Sequence, residues 1–147
     1  MFSFVTKFIR FSSFLLRKYQ RGLIMRIMIV DNSKFMRTFI RNTVTDCGWD
    51  VVGEASDGSE AVQLYAKCNP DVVTMDITMV RMNGVEAVRA LIAKFPSAIV
   101  VMVSAIEQQV AMVQAIQAGA VGYVAKPFKS YELNQEIRRV SRGRKSD

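Results

Sequence analysis

The sequence contains no histidine, and its only two cysteines, Cys47 and Cys68, lie far apart and outside any CxxC pattern. Histidine is the commonest metal ligand and general base, so its absence argues against a zinc site, a Ser-His-Asp triad or a Cys-His pair. Glycine is absent from residues 31–35, directly after the first predicted strand. A glycine-rich phosphate loop, as in flavin or nucleotide binders, is therefore not expected. The cysteine content favours a reduced, cytoplasmic protein.

Acidic residues are absent from the N-terminal segment, where most of the net charge lies. Residues 1–24 contain five basic side chains, which leaves 15 basic and 13 acidic side chains for the rest of the chain. The body is therefore nearly neutral, and its charge predicts no nucleic-acid binding. The segment is rich in phenylalanine at helical spacing, but it is too short and too interrupted by charge to span a bilayer. We expect Met25 to be the natural start, with a membrane-surface helix as the alternative.

Apolar runs alternate with helical patterns through the body of the chain. Strands are predicted at residues 26–30, 49–54, 71–75, 98–103 and 122–125. Helices are predicted at residues 33–47, 57–69, 84–94, 108–118 and 130–141, with Asp57 and Glu60 forming a capping box at the second. Continuous apolar runs indicate parallel strands buried on both faces. The prediction is an α/β fold with a doubly wound, five-stranded parallel sheet flanked by five helices, as in flavodoxin-like proteins. This domain covers residues 25–142, and residues 143–147 form a polar tail.

Polar residues follow four of the five predicted strands. Asp31 and Asn32 follow the first, Asp76 the third, Ser104 the fourth and Lys126 the fifth. Ligands of such sheets bind beyond the carboxyl ends of the strands, so these side chains are expected to meet at one edge. Each residue alone is more often a helix cap or a surface turn. Their joint position favours a common functional site.

This set of residues is suited to a divalent cation and a phosphoryl group. Two close carboxylates repel each other unless a cation lies between them, and Mg²⁺ prefers oxygen ligands. Asp31, Asn32, Asp76 and the backbone carbonyl near Thr78 supply such oxygens. Asp76 would attack a phosphoryl group as a carboxylate nucleophile, and Lys126 would neutralise the added charge. Ser104 would donate a hydrogen bond to the new phosphate oxygens.

Longer motifs resemble the receiver domains of two-component response regulators, in particular the single-domain receivers of chemotaxis. The resemblance covers about residues 25–142 and rests on residues 29–33 with 36–37, 75–79 with 82–84, 103–105 and 118–128. It implies that Asp76 is the phospho-acceptor of a histidine kinase or a small phosphodonor. Such a protein is not an enzyme, although slow autodephosphorylation is expected.

The resemblance also implies roles for the other residues of the site. Asp31 would belong to the acidic pair, Thr78 would give its backbone carbonyl to Mg²⁺, and Lys126 would contact the phosphate. The Lys126–Pro127 bond is expected to be cis, which would aim the lysine into the site.

A conformational change is the third implication of the resemblance. Ser104 would move toward the phosphate, and Tyr123 would turn inward. The site would thereby be coupled to the surface formed by the fourth helix, the fifth strand and the fifth helix.

Two positions depart from the family's pattern. Asn32 stands where a second acidic metal ligand is usual, which should weaken Mg²⁺ binding and alter the phosphorylation rate. Val80 replaces the usual proline four residues after the acceptor, which should loosen that loop. Neither change removes the nucleophile, so we expect a working but altered receiver.

Three classes of function remain open at this point. The first is a phosphorylation-switched protein that signals by binding, with the flagellar motor switch as target, a chemotaxis kinase as phosphate source and a phosphatase as a further partner. A phosphorelay intermediate would have the same sequence pattern. The second is a pseudo-receiver scaffold, which Asn32 favours. The third, an enzyme on a flavodoxin-like fold, is disfavoured by the missing glycine-rich loop.

Overall fold

The computed structural model describes residues 24–143, which form a parallel sheet covered by helices on both faces. The strands are β1 (Arg26–Val30), β2 (Asp50–Ala55), β3 (Val72–Met75), β4 (Val100–Ala105) and β5 (Gly122–Lys126). The helices are α1 (Lys34–Asp46), α2 (Gly58–Cys68), α3 (Gly84–Lys94), α4 (Gln109–Ala118) and α5 (Ser130–Arg142), with a 3-10 helix at Ile106–Gln108. The sheet order is β2-β1-β3-β4-β5. The predicted doubly wound α/β fold is confirmed.

Two predicted segments lie almost entirely outside the described residues. Of the N-terminal extension, residues 1–24, only Ile24 is described, and of the polar tail, residues 143–147, only Gly143. Within residues 24–143, none of the helices has the length and apolar character needed to cross a membrane.

Alternate residues of β1 enter two separate hydrophobic cores, one on each face of the sheet. Met28 and Val30 lie in the core that α2, α3 and α4 cover, whereas Ile27 and Ile29 lie in the core that α1 and α5 cover. Side chains alternate because successive residues of a strand point to opposite faces. All four are at most 1% exposed. The interior strand β1 is therefore buried on both faces, and the position of its carboxyl end, where Asp31 begins the next loop, is fixed by the sheet.

The structure shifts the predicted boundaries around β4. This strand was expected at residues 98–103 and the next helix from residue 108, but β4 continues through Ala105, and the 3-10 helix separates it from α4. The reason is strand pairing, since Ser104 and Ala105 lie beside Ala125 and Lys126 of β5. Both Ser104 and Lys126 are consequently held in strands, where the sheet fixes their backbones.

The predicted cap of α2 is confirmed, but the reciprocal half of its capping box is wrong. Asp57 accepts a hydrogen bond from the backbone N–H of Glu60 at 3.0 Å. The Glu60 carboxylate accepts from the backbone N–H and the hydroxyl of Ser56, both at 3.0 Å, and thus bonds the residue before the cap. Ser56 offers two donors to one carboxylate oxygen, which the cap residue does not.

Candidate functional site

The two predicted carboxylates lie side by side at the carboxyl edge of the sheet. Asp31 directly follows β1 and Asp76 directly follows β3, and these strands are neighbours with Val30 beside Met75. The backbone N–H of Asp76 donates to the carbonyl of Val30 at 2.9 Å, which extends the pairing by one residue. Asp31 is fully buried and Asp76 is 5% exposed. Burial of two adjacent carboxylates requires positive charge nearby.

Lys126 supplies that charge from the far side of the sheet. Its Nζ lies 2.7 Å from Oδ2 of Asp31 and 3.5 Å from Oδ1 of Asp76, and its side chain is only 19% exposed. The lysine belongs to β5, two strands away from β3, so its long side chain crosses the edge of the sheet. The Lys126–Pro127 peptide bond is cis, as the sequence resemblance implied. The structure thus brings three of the predicted residues into one contact.

The pKa of the Asp76 carboxyl is raised by burial and by the excess of acidic over basic groups at the site. Burial raises the pKa of the Asp76 carboxyl above its ordinary value, and the negative charge of Asp31 raises it further. Lys126 and the backbone N–H of Ile77 oppose the rise but do not cancel it. An additional cation beside Asp76 would stabilise its ionised form.

Besides the contact with Lys126, three hydrogen bonds fix Asp31 in place. Its backbone N–H donates to the carbonyl of Ala55 at 3.1 Å, and its Oδ1 accepts from the backbone N–H of Ser33 at 2.9 Å. Arg37, in the first turn of α1, donates from Nη1 to the carbonyl oxygen of Asp31 at 2.7 Å. In the sequence, Arg37 was noted only within the motif at residues 36–37, and this contact was not predicted. The only indication of it in the sequence is that a basic residue follows the candidate metal ligand Asp31 by six positions.

The oxygen donors of the site suit Mg²⁺, with one negative charge fewer than a set of three acids would give. Among the described residues no group of three His, Cys, Asp or Glu side chains is placed to hold a metal ion. The available donors are the carboxylates of Asp31 and Asp76, the exposed side chain of Asn32 and the backbone carbonyl of Thr78. All are hard oxygen ligands, which Mg²⁺ prefers. The chemistry of these donors therefore fits the ion, but with a weaker electrostatic contribution than a third carboxylate would provide.

Ser104 and Thr78 are joined through a residue that sequence reasoning missed. Ser104 is fully buried at the end of β4, and its hydroxyl donates to Oε1 of Gln108. Nε2 of Gln108 in turn donates to the hydroxyl of Thr78. No sequence pattern distinguished Gln108, which is one of four glutamines between residues 108 and 117. The side chains of Ser104 and Thr78 are therefore already occupied in this structure.

The backbone of Asp76 is packed against the start of α3. The N–H of Gly84 donates to the carbonyl of Ile77 at 2.8 Å. A Cβ atom on Gly84 would lie 2.1 Å from the carbonyl oxygen of Asp76, which no side chain allows. The intervening loop carries Val80, where the resemblance expected proline, and this side chain is exposed. A glycine at position 84 is thus a direct steric requirement of the loop that follows Asp76.

Tyr123, in β5, is neither fully buried nor fully exposed. Its side chain is partly buried against the core beneath α2, α3 and α4. Its backbone N–H lies 3.4 Å from Oε1 of Glu136 in α5. The predicted inward turn of Tyr123 stays a prediction.

The sequence and the fold match known proteins of one kind. A model of the response regulator receiver domain matches residues 27–138, which is most of the chain. The chain belongs to the response regulator receiver family. Receivers are phospho-acceptors rather than classical enzymes, generally bind Mg²⁺ for phosphorylation, and interact with histidine kinases.

Among receivers, this one is CheY-like. The chemotaxis protein CheY of Thermotoga maritima is 40% identical over 117 residues, which cover 80% of this chain and 98% of the relative. CheY of Listeria monocytogenes is 43% identical over 118 residues, covering 80% and 99% of the two chains. A solved CheX-CheY-BeF3-Mg complex from Borrelia burgdorferi matches with a TM-score of 0.77 and 30% identity, covering 83% and 92%. These relatives suggest a role in chemotaxis.

Proposed function

We propose that this receiver is a single-domain signalling protein that accepts a phosphoryl group on Asp76 from a histidine kinase and signals by binding a target. The observation that carries the proposal is the contact of one lysine with two buried carboxylates at the edge of the sheet. A carboxylate nucleophile and a fixed positive charge are two of the elements that phosphoryl transfer to aspartate needs, and Mg²⁺ would be the third.

The chemistry follows from the positions of these groups. An oxygen of the Asp76 carboxylate forms a bond to phosphorus as the bond between phosphorus and the donor nitrogen breaks. The imidazole of the donor keeps the electron pair, and Asp76 becomes an acyl phosphate. Lys126 stands beside both carboxylates and balances the negative charge that the phosphoryl group adds.

The proposed metal site uses the oxygen donors at the same edge. Asp31, Asn32, Asp76 and the backbone carbonyl of Thr78 would hold Mg²⁺. When bound, the ion supplies positive charge to the phosphoryl oxygens. Ser33 holds the carboxylate of Asp31 and Arg37 holds its backbone carbonyl through their hydrogen bonds.

An apolar, charge-free helix face supports signalling by binding. Residues of α4 and the segment before β5 leave large apolar side chains exposed: Val110 at 77%, Val113 at 56%, Ile116 at 45% and Val121 at 47%. Exposed apolar patches mark interaction sites more often than chance placement does. In a chemotactic cell we propose a flagellar motor switch protein as the target. The CheX–CheY complex supports a phosphatase as a further partner, and the CheY relatives support a cytoplasmic location.

The test is the intact-protein mass after incubation with acetyl phosphate, with and without Mg²⁺. We expect a gain of one phosphoryl group, about 80 Da, that requires the metal. Asp76→Asn should abolish the gain. Asp50→Asn is the matched control, because Asp50 is exposed at the opposite end of the sheet, and it should leave the gain unchanged. A gain that persists in Asp76→Asn would place the phosphoryl group elsewhere and contradict the proposal.

A pseudo-receiver scaffold is the second candidate, and Asn32 is the observation that favours it. With no third carboxylate, Mg²⁺ binding depends on Asp31 and Asp76, both of which also contact Lys126. If the wild type gains no mass at any Mg²⁺ concentration and Asn32→Asp does, the scaffold function replaces the one proposed above. A phosphorelay intermediate would instead pass its phosphoryl group to a second histidine protein.

A further inference from the structure

Gln108 joins the end of β4 to the loop that follows Asp76, here called the acceptor loop. It is the last residue of the 3-10 helix Ile106–Gln108 and directly precedes α4. Its Oε1 accepts from the hydroxyl of Ser104, and its Nε2 donates to the hydroxyl of Thr78. Thr78 lies two residues after Asp76. One amide therefore spans the gap between the end of β4 and the acceptor loop.

This arrangement conflicts with the role expected of Ser104 after phosphorylation. A serine hydroxyl carries a single proton and donates one hydrogen bond at a time. While Ser104 donates to Gln108, it cannot donate to an oxygen of a phosphoryl group on Asp76. Ser104 is fully buried, so water cannot readily take the place of Gln108 as its hydrogen-bond acceptor. Loss of that acceptor therefore costs free energy unless the phosphoryl group replaces it.

We propose that Gln108 is a positioning residue that holds Ser104 and Thr78 in the unphosphorylated arrangement and releases Ser104 when the phosphoryl group arrives. The inference rests on the function proposed above and adds the residue that opposes the change. Gln108 directly precedes α4, whose exposed face carries Val110 and Val113, so the residue lies between the site and that face.

The test is a titration with beryllofluoride and Mg²⁺, followed through backbone amide shifts by NMR. The series contains the wild type, Gln108→Leu and Gln109→Leu. Gln108→Leu keeps the size of the side chain and removes both hydrogen bonds, so half-saturation should require about twofold to tenfold less beryllofluoride. Gln109→Leu is the matched control, since Gln109 is the next residue and is exposed on α4, and it should titrate like the wild type.

A double-mutant comparison tests whether Gln108 acts through Ser104. In a Ser104→Ala background, Gln108→Leu should no longer change the half-saturating concentration, because the competing hydroxyl is gone. A merely structural effect of Gln108→Leu would persist in that background. Gln108→Asn, whose shorter amide does not reach both hydroxyls, replaces Gln108→Leu if the latter does not fold.

The outcomes separate this inference from the function on which it rests. If beryllofluoride does not bind the wild type at saturating Mg²⁺, the phosphorylation function and the role of Gln108 fail together. If the wild type binds it and Gln108→Leu titrates identically or more weakly, only the role of Gln108 is overturned. Without beryllofluoride, an NOE between the Gln108 side-chain amide and the Thr78 methyl group is expected in the wild type, and its absence would also overturn the inference.

Discussion

Gly84→Ala is the substitution whose cost follows most directly from the structure. An added Cβ would lie 2.1 Å from the carbonyl oxygen of Asp76 and 2.8 Å from the Cα of Ile77. Both neighbours are backbone atoms, so no side-chain rotation relieves the overlap, and α3 or the acceptor loop must move. Overpacking of this kind costs about 1–3 kcal/mol. Alanine recovers at most about 1 kcal/mol of helix propensity, and less at the first residue of a helix. The net loss of unfolding free energy should be about 2 kcal/mol.

Urea denaturation followed by far-UV circular dichroism measures this loss, and Gly143→Ala is its control. A Cβ on Gly143 would approach no closer than 3.7 Å to the carbonyl oxygen of Val140, which is ordinary contact. That variant should stay within about 0.5 kcal/mol of the wild type. Gly84→Ala should also gain mass more slowly with acetyl phosphate, because the overlap displaces Asp76. Equal unfolding midpoints for the two alanine variants would refute the steric argument.

Three further predictions address the metal site, a helix cap and an ion pair. Asn32→Asp should tighten Mg²⁺ binding on the order of tenfold because it adds a charge to the site; an Mg²⁺ titration by NMR that shows no change would contradict this. Asp57→Ala should lower the unfolding free energy by about 1 kcal/mol, since it removes the acceptor of the Glu60 N–H; an unchanged urea midpoint would count against the cap. Glu136→Gln should cost about 0.2–1 kcal/mol at neutral pH, because Arg139 lowers the pKa of Glu136 below its ordinary value of 4.5. The ionised pair stabilises the fold above pH 4.5 and loses its effect as the pH falls through the lowered pKa. The urea midpoints of Glu136→Gln and the wild type should therefore converge in acid. A difference that stays constant with pH would indicate a packing effect instead.

The residues that could be predicted from the sequence are those whose backbone positions the sheet determines. Asp31 and Asp76 follow apolar runs that predict buried parallel strands, and neighbouring parallel strands bring their carboxyl ends together. Lys126 was placed by the same argument, although its distances of 2.7 and 3.5 Å to the carboxylates required the structure. Strand periodicity and strand ends therefore sufficed to identify the centre of the site.

The parts that could not be predicted depend on individual side-chain hydrogen bonds and on the extent of strand pairing. Gln108 and Arg37 contact the site through amide and guanidinium groups, and the reach of such groups is not encoded in hydrophobic periodicity. The extension of β4 through Ala105 depends on its pairing with β5, which is a partner distant in sequence. The partner of the Glu60 carboxylate could not be predicted either, because the backbone N–H groups of Ser56 and Asp57 are adjacent donors, and the structure pairs it with Ser56.

The composition of α4 determines how association with a target should respond to salt. Residues 109–118 include no charged side chain, whereas the last turn of α5 carries Arg139 and Arg142. Salt screens attraction between charges but leaves apolar burial intact, and sulfate even strengthens it. A partner that docks on Val110 and Val113 should therefore keep its affinity as ionic strength rises. A partner that docks on the arginines of α5 should lose affinity under the same conditions.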